Sequence, residues 1–329
     1  MSADLIQPFP SISPSTAVHL SQQAPQILQS SSSLSLPYPL SLLTSTETQE
    51  TWMTYENLLI SCLRTGDNEA ARRCLDELLS RFGEKNERVM ALQGMYEEAV
   101  AENDKELGAV MQSYEAVLKE DPTNMPIRKR RVALLRSMGK TNDATAALVE
   151  LLDASPTDSE AWAELADLYF TQGLYSQAIY SLEEVLLIIP NAWNIHARLG
   201  EIAYISATSS ESSDRGNTAK VLSDALRRFC RSIELCDNYL RGYYGLKITA
   251  KKLLDALPRG GKGAIATSDG DLPPPPVETV EKLHEIATSK LAEIVRRGSA
   301  GEKGWEGYDE AELIAARALL DKDEEKVER

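Results

Sequence analysis

The stretch from Trp162 to Pro190 reads WAELADLYFTQGLYSQAIYSLEEVLLIIP, and its pattern decides the fold. Apolar residues recur at helical spacing on both sides of Gly173: Trp162, Leu165, Ala166 and Tyr169 before it, and Ala178 and Leu182 after it. This spacing predicts two helices joined by a short turn at the glycine. Pro190 ends the second helix, because proline has no amide hydrogen to donate and its ring clashes with the preceding turn.

The same pattern recurs along the chain. Pro122, Pro156 and Pro190 are spaced 34 residues apart, and Gly139 precedes Gly173 by the same interval. A helix–turn–helix unit with a 34-residue period is the signature of the tetratricopeptide (TPR) repeat, whose units stack into a solenoid. The sequence therefore predicts an all-α fold: a right-handed TPR superhelix of about five to six repeats, with a C-terminal capping helix.

Composition divides the chain into further segments. Residues 1–46 are rich in Ser and Pro and have no helical period, which predicts a disordered leader. The solenoid is expected over 47–257, interrupted by a Ser- and Gly-rich insertion loop at 206–218. The remaining segments are a Gly/Pro-rich loop at 258–276, helices at 277–321 that complete and cap the solenoid, and a charged tail at 322–329.

The charge of the chain limits the classes of partner. Its formal net charge is −15, and phosphate backbones and anionic lipid headgroups repel such a chain. Nucleic acid is therefore not an expected partner. No apolar run approaches the roughly 20 residues that span a bilayer. The four cysteines form no CxxC pair, so buried free thiols are expected rather than a disulfide or a zinc site.

No enzyme signature is present in the sequence. His19, His196 and His284 lie far apart, and the run Gly260–Gly263 resembles a phosphate-binding loop only in composition, without the flanking strand or the Walker spacing. We therefore expect no catalytic residue, no cofactor site and no metal site.

The repeat register predicts a protein-binding groove, because the first helix of each TPR unit lines the concave face. The equivalent groove positions are Lys129 and Arg136 in the third repeat, Asp167 and Phe170 in the fourth, and Glu201 and Tyr204 in the fifth. Exposed aromatic rings there are expected to anchor a partner segment, with the carboxylates selecting basic residues on it. Two carboxylates would repel the acidic chaperone tail that TPR co-chaperones bind.

The basic run Arg128–Arg131 has two interpretations. It forms a solvated helix face with side-chain stems packed along the repeat, or it contacts an acidic partner segment.

Several local motifs resemble one family of TPR proteins. They are Trp52-x2-Tyr55-Glu56, the run KEDPTN at 119–124, the run RKR at 128–130, and Glu160-Ala161-Trp162-x-Glu164-Leu165-Ala166. Together with Leu182-Glu183-Glu184, they make the chain similar to subunit 2 of the endoplasmic-reticulum (ER) membrane protein complex, in a fungal version, over residues 50–250.

This resemblance implies a soluble, non-catalytic scaffold, peripheral to the cytosolic face of the ER membrane. Its implied partners are cytosolic segments of membrane-embedded subunits and a second soluble subunit. The complex itself inserts transmembrane segments of tail-anchored and multipass proteins. The alternative is a free cytosolic TPR adaptor or co-chaperone-type protein.

Overall fold

The computed structural model describes residues 14–32, 49–209, 215–257, 272–305 and 307–327. These ranges contain fourteen α-helices and no strand, so the predicted all-α TPR fold class is confirmed. The chain divides into two compact units at 1–156 and 157–329, and each is described by itself.

The N-terminal unit contains seven helices within the described ranges, most of them arranged as helix–turn–helix pairs. They are α1 (Pro14–Ser32), α2 (Gln49–Thr65), α3 (Asn68–Phe82), α4 (Glu87–Val100), α5 (Asp104–Glu120), α6 (Met125–Ser137) and α7 (Thr141–Ala154).

The C-terminal unit contains seven more over its described residues. They are α8 (Ser159–Thr171), α9 (Tyr175–Ile188), α10 (Trp193–Ser209), α11 (Arg215–Leu235), α12 (Leu240–Ala256), α13 (Val277–Ser299) and α14 (Glu310–Val327).

Local chemistry accounts for where the helices begin. The side chains of Asp67, Asn124 and Asp158 accept hydrogen bonds from backbone N–H groups in the first turns of α3, α6 and α8. Such caps satisfy amides that have no partner inside the helix. At the turns within repeats, Gly139 and Gly173 have φ of 70° and 74°, a left-handed conformation that glycine adopts without steric cost.

The three repeat prolines account for where α5, α7 and α9 end. In each case the residue before proline leaves the helix with nearly the same backbone: Asp121 at φ −129° and ψ 90°, Ser155 at −137° and 74°, and Ile189 at −126° and 79°. Proline disfavours the helical conformation of the residue that precedes it. Pro122, Pro156 and Pro190 therefore end three helices in the same way.

The fourth repeat packs largely as its pattern predicts. Leu165, Ala166 and Ala178 are buried, and the small side chains of the two alanines let α8 and α9 approach closely. Trp162 is only half-buried, with its ring edge-on to Tyr180 at a centroid distance of 6.1 Å. Trp162 therefore contributes to packing at the edge of the repeat, not at its centre.

The prediction of a disordered leader was wrong for residues 14–32. This segment forms α1, which buries Ala17, Leu20 and Ala24 against α2 and α3. The prolines of this segment predict an interrupted helix, but Pro14 occupies the start of α1, where proline is favoured. Burial of the apolar face offsets the backbone hydrogen bond lost at Pro25. The rest of the leader lies outside the described residues.

The insertion predicted as a loop at 206–218 mostly extends two helices. α10 continues through Ser209 and α11 begins at Arg215, so only 210–214 lie outside the described residues. Ala207 and Ala219 are buried in the core of the C-terminal unit, which gives the added turns a packing role. Most of the predicted 258–276 loop is also outside the described residues, and α14 extends through Val327 into the predicted charged tail.

The cysteines are free, as expected. Cys62 and Cys74 are buried in the N-terminal unit, where burial raises the pKa of each thiol to about 12. Cys230 and Cys236 are half-buried. Thiols with such raised pKa values stay protonated and unreactive at neutral pH, so Cys62 and Cys74 serve as small apolar core residues.

Candidate functional site

The first helices of the last three repeats, α8, α10 and α12, carry the candidate site. We call their shared surface in the C-terminal unit the first-helix face. The predicted groove residues Asp167 and Phe170 lie on α8, and Glu201 and Tyr204 lie on α10.

Arg198 on α10 connects these residues, a role that the repeat register does not predict. Its guanidinium donates hydrogen bonds to Asp167 Oδ1 at 3.0 Å and to Glu201 Oε2 at 2.8 Å. The same group lies 4.5 Å from the centroid of the Phe170 ring, a cation–π distance. Phe170, predicted to be exposed, is half-buried beside this guanidinium.

The electrostatics of this cluster differ from the prediction. Burial alone would lower the pKa of Arg198. The hydrogen bonds and charges of Glu201 and Asp167 raise this pKa by a larger amount, so the net shift is upward. Arg198 is therefore a permanent cation paired with both carboxylates. The carboxylates are already engaged within the chain, which reduces their capacity to select basic residues on a partner.

A cavity of about 470 Å³ opens on the first-helix face beside this cluster. Tyr204, Tyr239 and Tyr244 line it together with Ile205 and Ile248. Burial, and to a smaller extent the neighbouring Tyr244, raises the pKa of Tyr204. Tyr204 therefore stays neutral at physiological pH, and the cavity offers an apolar lining with hydroxyl groups.

The inner wall of the cavity depends on a ring between two glycines. Phe229 on α11 is 3% exposed and lines the cavity. A Cβ atom at Gly245 on α12 would lie 2.1 Å from Phe229 Cε1, and one at Gly200 on α10 would lie 2.9 Å from Phe229 Cδ2. Both distances are shorter than any normal contact, so glycine at these positions lets α10 and α12 approach the ring.

The C-terminal helix α14 forms one side of the cavity through Glu312 and Ala315. Arg241 Nε on α12 donates to Glu312 Oε1 at 2.7 Å, and the Tyr308 hydroxyl donates to the Asn238 carbonyl at 2.8 Å. The predicted capping helix therefore also completes the candidate site.

Lys129 and Arg136 lie on α6 in the N-terminal unit, and both are exposed. The sequence of charges along one continuous groove, from these residues to those of the C-terminal unit, stays a prediction.

The arginines of the basic run bind within the chain. Arg130 pairs with Glu98, Arg131 pairs with Glu150, and Arg128 Nε donates to the Pro122 carbonyl at 2.6 Å. The Glu98 carboxylate also accepts a hydrogen bond from the Tyr114 hydroxyl at 2.5 Å. These three arginines therefore stabilise the packing of the N-terminal unit, which favours the first of the two interpretations.

Within the described residues, two other kinds of feature are absent. No group of three or more His, Cys, Asp or Glu side chains there is placed to hold a metal ion. Across the same ranges, no helix is both long and apolar enough to cross a membrane.

Comparison with known proteins identifies relatives of the chain. A family model described as the EMC2 TPR-like repeat domain matches residues 86–216. The TPR repeat protein oca3 of Schizosaccharomyces pombe is 34% identical over 243 residues, which cover 73% of this chain and 82% of that protein. ER membrane protein complex subunit 2-A of Xenopus laevis is 31% identical over 199 residues, 60% of this chain and 62% of that protein. The chain thus spans most of oca3 but less than two thirds of the X. laevis protein.

A shorter match and a solved structure complete the comparison. ER membrane protein complex subunit 2 of Saccharomyces cerevisiae is 34% identical over 106 residues, 32% of this chain and 35% of that protein. Among solved structures, a thermophilic TPR protein from Thermus thermophilus is 17% identical, with a TM-score of 0.39 over 58% of this chain and 98% of that chain. The helices and the family match establish the fold.

Proposed function

The chain belongs to the family of ER membrane protein complex subunit 2, and we propose that it is a non-catalytic scaffold subunit of that complex. It sits peripherally on the cytosolic face of the ER membrane and holds cytosolic segments of membrane-embedded subunits and a second soluble subunit. The complex inserts transmembrane segments of tail-anchored and multipass proteins, and this chain organises its cytosolic parts without performing the insertion.

The cavity on the first-helix face is the observation that carries this proposal. A space of about 470 Å³ lined by aromatic and aliphatic side chains is large enough for one or two apolar side chains of a peptide. Aromatic residues at the centre of an interface are typical anchors for a partner. At the margin of the cavity, Arg198 pairs with both Asp167 and Glu201, so this cluster offers no unpaired cation and keeps one net negative charge. The aromatic and aliphatic lining therefore supplies most of the affinity.

The ion-paired arginines at the cavity favour a short partner segment that is uncharged where it enters the cavity. A buried charge on the segment would need a free counter-charge to offset its desolvation. Both Arg198 and Arg241 are already paired with carboxylates. An extended or helical segment that inserts a Leu, Ile, Phe or Met side chain fits this lining.

The test is a pair of double variants in the full chain, purified from detergent-solubilised membranes. Phe170→Ala with Tyr204→Ala truncates the two aromatic groove residues. Ile286→Ala with Ile314→Ala truncates side chains of similar apolar character that are 55% and 61% exposed and do not line the cavity. We expect the first double variant to lose membrane-embedded partners while its circular dichroism stays helical. Its melting temperature should fall moderately, because both truncated rings are half-buried. We expect the control to retain them. Equal recovery by both variants would exclude the first-helix face as the main interface.

A further inference from the structure

A second surface in the C-terminal unit carries large apolar side chains that the solenoid does not bury. Tyr180 and Leu187 on α9 are 57% and 75% exposed, and Ile188 follows at 37%. Ile189 and Trp193, in the turn to α10 and at its start, are 46% and 45% exposed. We call these five residues the outer patch.

The outer patch is not a requirement of the repeat. Thirty-four residues earlier, the equivalent positions in the third repeat hold small or polar side chains: Ala146, Asp153, Ala154, Ser155 and Ser159. When Ala225 of the fifth repeat is aligned with Ala178, Tyr180 and Leu187 correspond to Arg227 and Glu234. Neighbouring repeats therefore fold with small or polar residues at the positions of Tyr180 and Leu187. Exposed apolar residues without a structural role indicate an interface.

The geometry of the patch suits a helix. Leu187 and Ile188 follow Tyr180 by seven and eight residues, so the three residues form a row of about two helical turns along α9. Trp162 extends this row sideways through its edge-on contact with Tyr180. A row of this kind packs against the apolar stripe of a second helix, as ridges and grooves do in helix pairs.

A carboxylate lies within the row and limits the chemistry of the partner. Glu184 lies between Tyr180 and Leu187 on the same face, and its carboxylate accepts a hydrogen bond from the Tyr180 hydroxyl. Glu183, beside it, is paired with Arg228. A partner that covers the patch must supply a cation for Glu184, because an unpaired buried carboxylate is costly.

This requirement disfavours two other occupants. Insertion of the row into lipid would place Glu184 in the acyl region without a counter-charge, and anionic headgroups would repel it. A second copy of this chain, docked through the same patch about a two-fold axis, would bring two Glu184 carboxylates together. We therefore propose that the outer patch binds an amphipathic helix of a protein partner, whose apolar stripe is flanked by Lys or Arg.

The experiment is site-specific photo-crosslinking in intact cells. p-Benzoylphenylalanine replaces Leu187 in one strain of the full chain. In the control strain it replaces Asp153, the residue at the equivalent position of the third repeat. After irradiation, mass spectrometry identifies the peptide attached at each position. We expect position 187 to attach to another protein, at a segment with apolar residues spaced three and four apart and flanking Lys or Arg. We expect position 153 not to attach to that segment.

A charge variant tests the pairing with Glu184. Replacing Glu184 by Lys should lower the yield of the position-187 adduct roughly tenfold, because the partner's cation then meets a like charge. Replacing it by Gln should have a smaller effect. Four outcomes contradict the proposal: attachment to lipid, attachment to a second copy of this chain, the same adduct from position 153, or no adduct at position 187.

Discussion

Gly245→Ala is the substitution that tests the packing of the candidate site most sharply. The new methyl group would lie 2.1 Å from Phe229 Cε1 and 2.2 Å from Cζ. The ring cannot move away freely, because it is buried and contacts Gly200 on its other side. Overpacking of this kind costs about 1–3 kcal/mol. Replacing a helical glycine by alanine stabilises the helix by about 1 kcal/mol, because alanine has the higher helix propensity.

The severity of the overlap places the overpacking cost at the upper end of that range, so we expect a net loss of about 2 kcal/mol. For a cooperative unit of 150–250 residues, this loss lowers the melting temperature by roughly 4–8 °C. The assay is thermal unfolding followed by circular dichroism. Gly108→Ala is the matched control, since Gly108 is also helical but a Cβ there meets nothing within 4 Å. That variant should be unchanged or stabilised by up to about 1 kcal/mol.

A double variant identifies the ring as the cause. In a Phe229→Leu background, the ring atoms that the new methyl would meet are absent. Gly245→Ala should then cost far less than in the wild type, or stabilise the chain through helix propensity. An equal cost in both backgrounds, or a stabilising effect in the wild type, would refute the ring as the reason for glycine at this position.

Three further predictions concern other parts of the chain. Trp162→Ala should lower the free energy of unfolding, measured in urea titrations, by about 2 kcal/mol. This loss is below the 3–5 kcal/mol typical of fully buried aromatic residues, because the Trp162 ring is half-buried. A loss of about 4 kcal/mol or more would contradict this packing. Leu20→Ala should cost about 2–5 kcal/mol because Leu20 is fully buried against α2 and α3, and an unchanged unfolding curve would show that α1 does not dock. Burial, with smaller contributions from Arg228 and Arg231, lowers the pKa of His196 despite its hydrogen bond to the Pro190 carbonyl. The unfolded chain therefore takes up a proton first, and stability should fall as pH drops below about 6.5. His196→Gln should reduce that loss between pH 7.5 and 5.5, and the same pH dependence in both proteins would count against the assignment.

Much of the fold could be predicted because each repeat contains the same local signals: a proline after a helix and a glycine in a turn. Pro122, Pro156 and Pro190 each act on the residue before them, and the turn glycines adopt the same left-handed backbone. These effects are local, so a period in the sequence translates directly into helix ends and turns.

Features that depend on tertiary packing could not be predicted in the same way. Ala17, Leu20 and Ala24 have helical spacing, but the composition around them is that of an unstructured segment, and only contact with α2 and α3 reveals their role. The helical extensions around residues 209 and 215 depend likewise on burial of Ala207 and Ala219.

The candidate site also combines residues that the sequence predicts with a contact that depends on tertiary packing. The repeat register placed Asp167, Phe170, Glu201 and Tyr204 on the first helices of neighbouring repeats, where the structure has them. The register did not predict the role of Arg198. Its guanidinium binds one carboxylate on its own helix and one on the neighbouring first helix. The spacing of Arg198 three residues before Glu201 was an available signal for the first of these ion pairs, but the second required the packing of α8 and α10.

Membrane fractionation of the unmodified chain tests the central claim most directly. If the chain is the proposed peripheral subunit of the ER membrane protein complex, it should sediment with ER membranes in low salt and be released by alkaline carbonate. From detergent extracts it should co-purify with membrane-spanning subunits of the complex in constant ratio. A chain found mainly in the cytosolic fraction, with no membrane-spanning protein in its purified form, would instead support the free TPR adaptor and contradict the scaffold proposal.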